Sequence, residues 1–256
     1  MVEQKWPHRL WIVRHGQSAG NVARDAAVAA RLPLIDIATR DIDTPLSTLG
    51  EQQSQALGRW FGEMPCAEQP TVVLCSPYER AFMTAQIVVD VAGIDRDAVS
   101  LVADERLREK EFGILDRLTH YGIRQKYPEL DEQRAHVGKF YFRPPGGESW
   151  CDVILRLRNL LETITREHRR ERVLVVGHQV IVNCFRYLLE RLDEKQILDI
   201  DRIADVPNCS VTSYEFDPTR GTKGKLVQQL VNFVAPLEEA GAPVTAAPDV
   251  PGAAKP

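Results

Sequence analysis

Two short segments place a histidine where chemistry on a phosphoryl group can be done. One is Arg14-His15-Gly16-Gln17, directly after the apolar run Leu10-Trp11-Ile12-Val13. The other is Gly177-His178, after Arg172-Val173-Leu174-Val175-Val176 and ahead of a helical pattern from Val180 to Arg191. A run of large and β-branched apolar residues next to glycine reads as a buried strand. Each histidine therefore emerges where a strand gives way to a loop and then a helix, the edge of an open α/β sheet at which ligands bind. A neutral imidazole is a nucleophile and the neighbouring Arg14 a fixed cation, a pairing suited to phosphoryl transfer. Either histidine alone reads more readily as a buried, hydrogen-bonded side chain. Two in equivalent settings favour a functional pair.

Arg80 lies in Cys75-Ser76-Pro77-Tyr78-Glu79-Arg80-Ala81, just past a strand and in the first turn of a helix. Basic side chains suit the other end of a helix. Here the guanidinium and the helix amides would together hold an anion. The plainer alternative is a surface pair with an acid such as Glu79. Glu109 is one of several carboxylates in the charged stretch 104–111, and composition does not say which of them faces a site.

To bring these side chains together the chain must form an α/β fold with a mainly parallel sheet flanked by helices. Strands are expected at 10–13, 71–75, 100–102, 173–176, 211–216 and 225–231. Thr48 with Glu51 reads as a capping box for a helix running to Glu63. A second helix spans 79–92 with Gly93 as its stop, and 149–168 carries apolar residues at the spacing of one helix face. Residues 32–45 read as a loop or lid, and 119–147 as a partly helical insertion closed by a rigid Pro-Pro-Gly-Gly turn. One catalytic domain is expected over 1–234. The last 22 residues hold seven Ala and five Pro and are expected to be disordered.

With 256 residues, 44% of them hydrophobic, the chain can fill one good core. The balance of 32 basic against 36 acidic side chains argues against a nucleic-acid partner. No apolar stretch approaches the ~20 residues needed to span a bilayer, so no membrane partner is expected. The polar N-terminus lacks the apolar core of a secretory signal, which points to the cytoplasm. Five cysteines without a C-x-x-C read as core residues in a reducing compartment. Six histidines without H-x-H or H-E-x-x-H spacing give no reason to expect a metal or other cofactor. Oligomeric state is left open.

Taken in order, Arg14-His15-Gly16 with Ser18 and Asn21, Leu46-Ser47-Thr48-Leu49-Gly50, Ser76-Pro77 with Arg80, Leu107-x-Glu109-x-x-x-Gly113 and Gly177-His178 resemble the histidine phosphatase superfamily, in its phosphoglycerate mutase-like branch. The resemblance runs from about Leu10 to Phe216 and implies that family's three-layer sandwich. It implies His15 as the nucleophile that becomes phosphohistidine, with Arg14, Arg80 and His178 around the phosphoryl oxygens. Glu109 becomes the proton donor and then the base for water, with Glu105 as rival, since Gly113-Ile114-Leu115 replaces the Trp-Glu-Gly run many members carry. Asn21 matches a position that contacts the phosphoryl group, and Ser18 and Gln179 join it as substrate-binding candidates. Gln179 after His178 is similar to the His-Gln pair of fructose-2,6-bisphosphatase domains. Glu148 and Ser149 either border the pocket or cap the next helix.

The expected activity is metal-independent hydrolysis of a small phosphorylated metabolite by a phosphatase of histidine acid phosphatase type. A cofactor-dependent phosphoglycerate mutase is the alternative, and a catalytically silent phosphate-binding module a more distant one. The mutases of the family resemble one another in a longer insertion between acid and second histidine. Here 68 residues lie between Glu109 and His178.

Overall fold

The computed structural model describes residues 4–97 and 99–246. In chain order its elements are β1 (Arg9–Arg14), α1 (Ala19–Ala29), α2 (Thr48–Gly62), β2 (Val72–Cys75), α3 (Glu79–Val91), β3 (Ser100–Ala103), α4 (His120–Lys126) and α5 (Pro128–Val137). There follow α6 (Trp150–Glu167), β4 (Arg172–Gly177), α7 (Gln179–Glu190), α8 (Glu194–Ile203), β5 (Val211–Asp217), β6 (Lys225–Phe233) and α9 (Ala235–Glu239).

Alternation along the strands explains the layers. In β1, Leu10 and Ile12 enter one core while Trp11 and Val13 enter the other, and in β4 Val173 and Val175 oppose Leu174 and Val176 in the same way. Strands buried on both faces need helices on both faces. The apolar stripe of α6 joins α7 and Ile197 of α8 on one side, and α2, α3 and Leu237 of α9 cover the other. The six strands run β3-β2-β4-β1-β5-β6 across the sheet. The first four are parallel, β5 is antiparallel to β1, and β6 is antiparallel to β5. This is the expected α/β architecture, and each expected strand is present within one or two residues. Cys75, Cys184 and Cys209 are buried in these cores, and burial pushes the Cys75 and Cys209 thiols up to about 12, as core residues rather than nucleophiles. Among the described residues no helix is long and apolar enough to cross a membrane.

The start of α2 departs from the expected capping box. Its N-cap is Ser47, whose hydroxyl accepts from Gly50 N, and the helix begins at Thr48. Ser47 is drawn to that role because its N–H and its hydroxyl also donate to Gln17 O, which fixes where the chain enters the helix. The insertion is helical as expected and breaks at Pro128, whose ring disfavours a helical Tyr127 before it. It closes through Gly146, at φ +73°, in a turn that packs on Gly113.

The C-terminal expectation is corrected over residues 235–246. Leu237 is fully buried, α9 carries Pro236 in its first turn, and the chain continues as a strap whose Pro243 carbonyl and Thr245 hydroxyl accept from Gln53 Nε2. Asn208 N also donates to Thr245 O at 2.8 Å. One buried leucine and a few backbone hydrogen bonds hold what composition alone marks as unable to order. The expectation of disorder for 247–256 lies outside the described residues.

Candidate active site

The register of β1 on β4 assembles the site. Arg14 pairs with Gly177, so the next residue on each strand is a histidine. His15 N donates to Gly177 O at 2.9 Å, and the two imidazole rings lie 5.1 Å apart, edge to face. Both are fully buried.

His15 is held from several sides. Its Nδ1 is 2.6 Å from Gly16 O, and a carbonyl can only accept, so Nδ1 carries the proton. Nε2 then keeps its lone pair, and it accepts from Arg80 Nε at 3.3 Å. The His15 carbonyl accepts from Asn208 Nδ2, and Gly16 N donates to Thr84 Oγ1. Gly16 and Gly50 have no room for side chains: a Cβ on Gly16 would meet Gly50 O at 2.4 Å, and one on Gly50 would meet Gln17 O at 1.9 Å. The loop after His15 is thus clamped against the start of α2, which accounts for the Leu46-to-Gly50 motif.

His178 is held by side chains. Its Nε2 is 2.8 Å from Ser76 Oγ, its Nδ1 is 3.7 Å from Glu109 Oε2, and the Tyr78 ring packs at 5.2 Å. Glu109 is 1% exposed and lies against His178, whereas Glu105 is exposed. The structure therefore separates the two rival acids. Burial, then the nearby charges of Glu111, Asp41 and Glu109, pushes the Tyr78 phenol up and keeps it neutral.

Arg80 is buried at the start of α3, beside His15, with its guanidinium over the Tyr78 ring. It does not pair with Glu79. Its Nη1 donates to Asp41 O at 2.7 Å and Asp41 Oδ1 at 2.9 Å. Arg14 is fully buried, with Nη1 donating to Val206 O. Ser18 caps α1 and forms a capping box with Asn21, and both line the cleft that also holds Arg80, Asp41, Phe112 and Asp116. Gln179 opens α7 and turns its amide to Asp205 Oδ1 at 2.8 Å. Ser149 caps α6, as the capping alternative has it, whereas Glu148 lies before the cap and is taken by Arg108 and Arg156, with Asp152 as the first-turn acid. Among the described residues no group of His, Cys, Asp and Glu could hold a metal ion.

The sequence profile of the histidine phosphatase superfamily (branch 1) matches residues 10–228. The chain belongs to that superfamily. It is 30% identical over 233 residues to a 6-phosphofructo-2-kinase/fructose-2,6-bisphosphatase of Caenorhabditis elegans, covering 88% of this chain and 45% of that protein, so it spans about half that relative's length. It is 29% identical over 202 residues to a 2,3-bisphosphoglycerate-dependent phosphoglycerate mutase of Allorhizobium ampelinum, covering 77% of this chain and 87% of the mutase. Among solved structures, YhfR of Bacillus stearothermophilus superposes with a TM-score of 0.67 at 25% identity, over 90% of this chain and 98% of that one. The relatives thus include both phosphatases and mutases.

Several neighbours of the site were not singled out by spacing. Ser76 and Tyr78 sit inside a quoted motif, yet only the fold shows that they flank His178. Asp41 comes from the unpatterned loop 32–45, and Asn208 from the turn before β5. Asn208 follows Pro207, a turn signal that marks the bend but not what the amide reaches.

Proposed function

We propose that the chain is a phosphomonoester hydrolase that works through a phosphohistidine on His15, without a metal, on a small phosphorylated metabolite. The observation that carries this reading is the His15 tautomer: Nδ1–H held by Gly16 O, and Nε2 presented beside the Arg80 guanidinium. In the first step Nε2 forms a bond to phosphorus as the ester P–O bond breaks, and protonated Glu109 gives its proton to the departing alkoxide. In the second step water attacks phosphorus, Glu109 takes its proton, and the N–P bond breaks to release inorganic phosphate. Arg14, Arg80 and His178 supply positive charge to the equatorial oxygens, where charge spreads in the transition state. Asn21 and Ser18, on the cleft wall at the start of α1, are assigned to the bound phosphoryl group. Gln179, turned to Asp205, supports the loop after α8 in this reading.

Hydrolysis is the least demanding reaction this constellation performs, since it needs only water as second substrate. Insertion length does not argue further, because the mutase relative aligns over 87% of its own length. The test is phosphate release in chelator from an aryl phosphate, sugar phosphates and 3-phosphoglycerate, by the wild type and His15→Ala. Release that falls by about 10⁴-fold or more in the variant supports the reading. Isomerisation of 3-phosphoglycerate with a bisphosphate primer, and no net release, would replace it with the mutase. Phosphate binding without either reaction would leave a silent module.

A further inference from the structure

Glu109 follows the short 3₁₀ turn Glu105–Leu107 and belongs to no strand or helix, yet its carboxylate is held against His178. What holds this stretch is α6. The Arg106 side chain reaches that helix, with Nη1 donating to Asn159 Oδ1 at 2.6 Å and to Thr163 Oγ1 at 2.8 Å. Arg156, about one turn earlier on α6, reaches back to the backbone of the stretch. Its Nη1 donates to Arg106 O and its Nη2 to Glu109 O at 3.3 Å.

The same guanidinium grips Glu148 by two hydrogen bonds, Nε to Oε1 at 3.0 Å and Nη2 to Oε2 at 3.1 Å. Glu148 passes the hold on to Glu111. Its Oε2 accepts from Glu111 N at 3.1 Å, and its own N–H donates to Glu111 O at 2.9 Å. Both side chains are nearly buried, and a bidentate charged pair of this kind has a fixed geometry. Glu111 Oε1 in turn accepts from the phenol of Tyr78, whose ring packs on His178. The peptide groups on either side of Lys110 are thus fixed. A peptide is planar, so holding the Glu109 carbonyl also aims the Lys110 N–H on its other edge. That N–H points at Glu109 Oε1, 2.7 Å away, and leaves Oε2 toward His178. An oxygen that already accepts from an amide is the poorer place for a proton, so Oε2 is the one that carries it.

We propose that the Arg156–Glu148 pair positions the general acid: it sets the plane of the Glu109–Lys110 peptide, so that the N–H takes Oε1 and Oε2 gives the proton to the leaving group. This rests on the hydrolase reading, in which Glu109 is that acid. Arg156 and Glu148 are positioning residues and act only through Glu109. Loss of either lets the peptide rotate and the carboxyl turn with it. A misplacement of about 1 Å at a catalytic group costs up to about 10²-fold in rate.

The experiment measures kcat and KM on the full chain for phosphomonoesters running from an activated aryl phosphate to alkyl phosphates. The wild type is compared with Arg156→Met and Glu148→Gln. Arg108, 2.7 Å from Glu148, stays in place in the first variant, so the carboxylate keeps a cation. Both variants are expected to lose about 10- to 100-fold in kcat for alkyl phosphates and less than about threefold for the aryl phosphate, with KM little changed. The plot of log kcat against leaving-group pKa then steepens. A residue that only stabilises the fold lowers Tm, or lowers kcat for every ester alike, and leaves that slope unmoved. Parallel slopes in the variants overturn the positioning role and leave the hydrolase standing. The substitutions lie at separate positions, so a variant that fails to fold leaves the other to decide. If the wild type turns over no ester, the hydrolase reading fails and amide hydrogen exchange tests the clamp. The Lys110 N–H should then exchange about tenfold faster or more in Arg156→Met than in the wild type, with the amides of α6 changed less. Equal exchange removes the clamp as well.

Discussion

The two ends of the cleft are built in different ways. At the phosphoryl end, Arg14, His15 and His178 leave adjacent parallel strands and are fully buried, and a backbone carbonyl holds His15 Nδ1. At the other end the cleft is lined by Ile35, Ile37, Asp41 and Thr44 of loop 32–45 and by Phe112, Asp116 and Arg117 around the turn near Gly113. Asp41 is 44% exposed, and the loop is tied to the turn by hydrogen bonds from Ile35 N to Arg117 O, from Thr119 N to Pro33 O and from Arg117 Nη1 to Ile37 O. Moving a strand would disturb both cores at once, whereas moving the loop would break polar ties and leave the two cores in place. Fixed chemistry sits on the scaffold, and selection of the leaving group sits on segments that tolerate change.

Glu109 stands at the seam, facing His178 on one side and continuing into Lys110 on the other, so it offers the largest test of this division. Glu109→Gln is expected to lower kcat for alkyl phosphates by about 10²- to 10⁴-fold, the range for loss of a general acid. For an activated aryl phosphate, whose phenolate leaves without a proton, the loss should be much smaller. A plot of log kcat against leaving-group pKa should therefore steepen in the variant. Equal losses across the series would assign Glu109 wholly to the phosphoryl end, holding His178 in place.

A smaller effect is expected where the loop-built wall reaches into the strand-built one. The Asp41 carboxylate lies 2.9 Å from Arg80 Nη1, on the guanidinium that the proposed mechanism assigns to the phosphoryl group. A phosphate dianion must compete with it. Asp41→Asn should tighten inhibition by inorganic phosphate by about threefold to tenfold at constant ionic strength, a modest gain because the acid is half exposed. Weaker inhibition would mean that Asp41 instead orients Arg80, and that the loop belongs to the scaffold.

The same division marks what the sequence made legible. Strand ends read well because buried parallel strands need unbroken apolar runs, and a histidine straight after such a run has little choice of position. Once β1 and β4 pair in register, His15 and His178 must meet. The leaving-group wall did not read, because its contacts are tertiary. Asp41 on Arg80 and Lys110 over Phe112 follow no period, and a charged stretch such as 104–111 looks the same whether it faces water or a site. Ser47 shows the limit in miniature. Capping chemistry predicted a helix start, and a hydrogen bond to Gln17, 30 positions away in the chain, chose which hydroxyl makes it.

The C-terminal strap crosses the same boundary from behind and gives the smallest effect. Thr245 Oγ1 donates to Asn208 Oδ1, while Asn208 Nδ2 donates to the His15 carbonyl, so the strap braces the catalytic loop through one intermediate side chain. Deleting residues 242–256 removes the acceptors of Gln53 Nε2 and the partner of Asn208 Oδ1. Water enters where the strap lay, so these polar groups are rehydrated rather than left buried and unpaired. The loss should then be about 1–2 kcal/mol, lowering Tm by roughly 2–8 °C, with kcat changed less than threefold. Asn208→Ala leaves the backbone of the strap in place and removes the shorter of two hydrogen bonds to the buried His15 carbonyl, leaving the longer one from Cys209 N. That variant should lose more kcat than the deletion and at least as much stability. If the deletion instead removes most of the activity, the strap is part of the rigid end, and the boundary between scaffold and selection must be drawn outside it.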